Sequence, residues 1–73
     1  MMMSALRRIQ DSRMPRVGEV VKILQDERII AQGYVVNIDR QTISVAGKGI
    51  VVLDTNEVRR GLHDGRVRIE VVH

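Results

Sequence analysis

Seventy-three residues allow one domain, and a chain this short buries a core of limited size. The absence of cysteine excludes a disulfide framework and a thiolate metal site, and two histidines, His63 and His73, are too few for a zinc cage. No apolar run approaches the roughly 18–20 residues that span a bilayer as a helix, and the net charge of +3 is concentrated in residues 1–16, which hold four Arg against one Asp.

That opening segment, "MMMSALRRIQ", lacks the long apolar core of a signal peptide. The expectation is a cytoplasmic protein with no membrane partner. "SALRRIQDSR" predicts a short helix: Ser4 can cap it, and Leu6 and Ile9 share one face. Pro15 ends it by pushing its predecessor out of the α region. A helix of two or three turns is marginal in water, so Leu6 and Ile9 should dock on the rest of the chain. Arg7, Arg8, Arg13 and Arg16 form an electrostatic candidate for a polyanion, which would act by counterion release. The bland reading of the same arginines is a solvated tail.

After Pro15 the pattern changes. Valine and isoleucine dominate, and β-branched residues favour strands. "RVGEVVKIL" predicts a first strand over 17–24. "QDER" is a polar turn, and "IIAQGYVVNI" predicts a second strand over 29–38. Gly33 falls inside it, where glycine marks a bulge, a bend or a close backbone approach. "TISVA" alternates, with Ile43 and Val45 on one side, and "GKG" connects it to a fourth strand, "IVVL". "DTNEVRRGLHDG" reads as irregular, with turn residues at both ends. "RVRIEVVH" alternates strictly, with Val67, Ile69 and Val71 inward and Arg66, Arg68 and Glu70 outward. Five short strands in so short a chain cannot leave two open edges and a bare face, and curling into a small barrel solves both problems. The fold expected is therefore mainly β: a five-stranded, strongly bent barrel over 17–73, preceded by a short N-terminal helix and basic segment over 1–16, all in one domain.

Catalytic signatures are weak. Ser44 and His63 could form a nucleophile–base pair only if the fold brought them together. "AGKG" lacks the full spacing of a phosphate loop and opens no helix, so it reads as a hairpin turn. No enzyme activity, metal or cofactor is expected. Arg59, Arg60, Arg66 and Arg68 could grip phosphate and stack on bases, but Glu57, Asp64 and Glu70 lie among them and favour a self-neutralising surface. Tyr34 is the single aromatic available for stacking; it reads equally well as an amphipathic strand residue.

Two segments carry a resemblance. "ILQDERIIAQGYVVNID" places an aspartate, Asp39, six residues after a glycine, Gly33, in the second strand, and "VRRGLHDGRVRI" places Arg60 and Gly61 before the last strand. In that order, over nearly the whole chain, this resembles the Sm-like family, which includes the LSm and Hfq proteins. The chain departs from the family pattern in several places: the connection before Gly33 is one residue longer, and the last strand with its tail is longer than expected. "QDER" has no glycine, "DRQTISV" lacks the asparagine expected after Asp39, and the aromatic and lysine–histidine hallmarks of Hfq have no counterparts. The resemblance implies an SH3-like barrel that assembles through its strand edges into a ring of about five to seven copies and binds single-stranded RNA. Asp39, Arg40 and Gln41 would then form one pore loop and Arg60 and Gly61 a second beside it. A comparison with PilZ domains fails on the ligand motif, since "NIDRQT" has Asp39 and Thr42 where Ser and Gly should stand. The alternative function is a small β-barrel module for oligomerisation or protein interaction, of the kind found in phage or plasmid assembly and regulatory proteins, with no nucleic-acid role.

Overall fold

The structure, a computed structural model, describes residues 14–72. Five strands form one antiparallel sheet: β1 (Val20–Gln25), β2 (Arg28–Ile38), β3 (Thr42–Ala46), β4 (Ile50–Asp54) and β5 (Val67–Val72). Their spatial order is β4-β3-β2-β1-β5. The first four make a meander, and the last crosses back to pair with β1. A single described helix, α1 (Thr55–Asp64), joins β4 to β5.

Alternation sets the faces. Val21 and Ile23 of β1, Ile43 and Val45 of β3, and Val67 and Ile69 of β5 point inward with Ala31 and Val35 of β2, and Val58 of α1 completes the buried core. The expected inward set of β3 is observed, and of the three expected on β5 Val67 and Ile69 are buried while Val71 is only partly so. The β1–β2 connection is a two-residue turn, Asp26–Glu27, with φ of 51° and 70°. Positive φ at both positions matches the right-handed twist of a hairpin, but it is strained for residues with a β-carbon. Two irregularities in pairing, beside Ile23/Leu24 and between Val35 and Asn37, bend β2 along its length.

Gly33 fulfils its sequence reading as a close approach. Its φ is 146°, and a β-carbon there would overlap the carbonyl oxygen of Ala46. Before Tyr34 β2 pairs with β1 alone, at Tyr34 with both neighbours, and beyond it with β3 alone. The sheet curls around its inner face, because Val21, Ile23, Val35, Ile43 and Val45 on three adjacent strands are shut off from solvent.

Two expectations need correction. The barrel is not closed by strand pairing: β4 and β5 are the two ends of the sheet and share no hydrogen-bonded ladder. And the segment read as irregular is a ten-residue helix. Asp54 caps it, its carboxylate accepting from the backbone N–H groups of Asn56 and Glu57. Glu57 follows three residues after the cap, and Gly65, at φ 85°, closes the far end in the left-handed conformation. The helix packs on β5 and β4, where the sheet is open, with Thr55, Val58 and Gly61 buried. Gly61 is required there, since a β-carbon would strike the Val67 side chain. The helix expected near the N-terminus falls on residues outside the described ones. The segment that follows it is described: Pro15 is buried, and Met14 lines a shallow groove with Arg59, Leu62 and His63 of α1.

Candidate nucleic-acid interface

The β2–β3 turn holds the first three residues singled out by the resemblance. Asp39 organises it. One carboxylate oxygen accepts from the backbone N–H of Gln41 and of Thr42, both at 2.8 Å, and the Asp39 N–H donates to the Thr42 carbonyl at 2.9 Å. This is an aspartate folding its own turn. The N–H of Thr42 first, and that of Gln41 second, favour the charged form, so the Asp39 carboxyl titrates below its ordinary value. Asn37 adds a long 3.5 Å contact to the other carboxylate oxygen. With Asp39 so engaged, Arg40 and Gln41 stand exposed at the tip of the turn.

The turn is tied to α1. The buried hydroxyl of Thr55 donates to the Asp39 carbonyl, and the Thr55 N–H donates to the Gln41 carbonyl, both at 2.9 Å. The β2–β3 turn and the first turn of the helix therefore form one hydrogen-bonded unit. Nothing in the sequence reading anticipated Thr55. The available signal was the run Asp54-Thr55-Asn56-Glu57, which has the spacing of a capping box and places a helix start opposite the turn.

Arg60 and Gly61 do not form a second loop. They lie in the middle of α1, and Arg60 is about 7–8 Å of helical rise beyond Thr55. Arg60 is exposed, whereas Gly61 faces inward against Val67 and serves packing. Of the five residues singled out, Arg40, Gln41 and Arg60 offer accessible polar side chains, Asp39 shapes the turn that presents two of them, and Gly61 is buried.

The surrounding charge is partly self-neutralised. Arg66 pairs with Asp64 at 3.4 Å, and Arg68 with Glu70 at 3.5 Å. Among the described residues Arg16, Arg40, Arg59 and Arg60 make no ion pair. On α1, Arg59 and His63 share the groove with Met14, while Glu57 and Asp64 fall on the opposite flank by helical spacing. Met14 thus sits beside the basic flank of the helix. Arg7, Arg8 and Arg13 lie outside the described residues.

Ser44 sits on β3 and His63 in the last turn of α1, with no hydrogen bond between them. Among the described residues, no group of three His, Cys, Asp or Glu side chains is placed to share a metal ion, and no helix is long and apolar enough to cross a membrane. Compared with protein-family models, with curated proteins and with solved structures, the chain matches none.

Proposed function

We propose that this chain is a non-catalytic RNA-binding protein whose Sm-like, SH3-like small barrels assemble into a homo-oligomeric ring on single-stranded RNA. The observation that carries the reading is the state of the two sheet edges. β4 is apolar on both faces: Ile50 and Val52 are 69% and 59% exposed on one, and Val51 and Leu53 lie on the other. An exposed hydrophobic edge with unpaired backbone groups is a template for another strand. The other free edge, β5, supplies that strand in a second copy. In antiparallel register, Ile50 would face Val72, Val52 would face Glu70 and Asp54 would face Arg68, matching apolar to apolar at one end and opposite charges at the other. Because the two surfaces are different, the pairing is head-to-tail and generates a ring when its rotation closes.

RNA is supported by the cations around the β2–β3 turn and α1. Arg40, Gln41 and Arg60 would contact the strand, with Asp39 shaping the turn. Arg7, Arg8, Arg13 and Arg16 would add a sequence-independent attraction that weakens steeply with salt. Light scattering on a sizing column should give about five to seven chains per particle; a monomer or simple dimer would sink the ring. Arg60→Ala should weaken oligo-RNA binding about tenfold while leaving the particle mass unchanged. The apolar β4 edge equally suits an interaction module without a nucleic-acid role, and wild-type particles that fail to bind any single-stranded RNA at low salt would select that reading.

A further inference from the structure

We infer that the outer face of the sheet around Tyr34 is a stacking platform for bases of single-stranded nucleic acid, distinct from the β2–β3 turn. The inference rests on the RNA-binding reading above and assigns a second contact surface. Register places Tyr34 in the middle of the central strand. Val20 of β1 is its partner on one side and Ala46 of β3 on the other. The same row runs on to Val72 of β5 and Ile50 of β4, so one apolar line crosses all five strands on the face away from the core. Tyr34 is 51% exposed, and its hydroxyl makes no hydrogen bond among the described residues. Its small and β-branched neighbours leave the ring open from above. Polar side chains surround it on the same face: Gln32 two residues back along β2, Lys22 diagonally on β1 with Glu70 of β5 opposite it, and Ser44 diagonally on β3.

An apolar sheet face could also receive a folded protein, but the shape and chemistry here favour a nucleic-acid strand. The sheet curls around its core, so this face is convex, and a convex line offers a rigid partner little contact area. A flexible strand can follow it. One exposed aromatic ring among hydrogen-bonding side chains suits a stacked base.

Tyr34 is the only aromatic residue in the chain, so intrinsic fluorescence reports this one position. The probes are oligouridylate and oligoadenylate of about 12 nucleotides, titrated against the full chain, with affinity read separately from the anisotropy of labelled RNA. Binding should quench the tyrosine to a saturating level. Tyr34→Ala should lose about ten- to hundredfold in affinity, and Tyr34→Phe should keep most of it. Arg60→Ala should weaken binding without abolishing the quench. RNA that binds tightly yet leaves the fluorescence unchanged, with Tyr34→Ala at wild-type affinity, would overturn the platform and spare the turn. Absence of RNA binding by the wild type would overturn both. Circular dichroism of Tyr34→Ala separates lost stacking from lost folding, and the fluorescence result on the wild type decides the matter should that variant unfold.

Discussion

At Gly33 a β-carbon would meet backbone, the carbonyl of Ala46, and neither partner can rotate away. The positive φ adds strain for any residue other than glycine. Gly33→Ala should therefore cost about 3 kcal/mol or more, a large part of the stability of so small a domain, and urea denaturation should show it. Asp39 carries a pH dependence. Its folded pKa is depressed by the N–H groups of Thr42 and Gln41, so the folded chain binds fewer protons than the unfolded one. The stabilisation is fully present above the unfolded value of about 3.9 and is lost as pH falls through the lower folded value. Asp39→Ala should melt at a lower temperature than the wild type at neutral pH, and the gap should narrow in melts taken as the pH falls below about 4. The glycine was legible in the sequence because a glycine inside a run of valine and isoleucine has few other uses. The role of Asp39 was not. Its turn bonds are local, but the tie to Thr55 spans 16 positions.

Helix α1 shows how a local signal is missed. Its apolar face is narrow, Val58, Gly61 and Leu62, and one of the three is a glycine. Hydrophobic periodicity over ten residues was therefore faint, while turn residues stand at both ends of the segment and the family resemblance put Arg60 and Gly61 in a loop. The ends were written more clearly than the middle, with an aspartate cap, a glutamate three residues later and a glycine in the left-handed conformation. Asp54→Ala should remove the cap and cost about 1 kcal/mol, measured by chemical denaturation. The strands were easier because β3 and β5 bury one face more deeply than the other, so their alternation survives in the sequence. β4 was found for a different reason: its run is apolar throughout, and the structure leaves most of it exposed at an edge.

For the whole molecule the decisive feature is that a sheet with both ends free is capped across its opening by one helix. Charge on β4 tests what that leaves available. Val52→Lys places a cation on the exposed face of the edge, the device by which proteins block strand addition, and should reduce the particle to a monomer without unfolding it. Sedimentation at several concentrations reads the mass. A variant that keeps the wild-type mass would remove β4 from the interface. Such a substitution is tolerable because Val52 packs little in the single chain, so a fall in mass reflects lost pairing and not lost core.

By itself the sequence determined that there are five strands, the inward residues of β3 and most of those of β5, and a special role for glycine at position 33, because each follows from alternation or from a residue type out of place in a strand, although β1 begins at Val20 and not at the expected residue 17. Only the tertiary structure decided that the sheet stays open between β4 and β5, that Arg60 and Gly61 belong to a helix with Gly61 buried, and that Thr55 binds the β2–β3 turn. Those outcomes depend on contacts between residues far apart in the chain, where packing of the Val58 and Gly61 face of α1 on the sheet makes up for a weak local preference for helix.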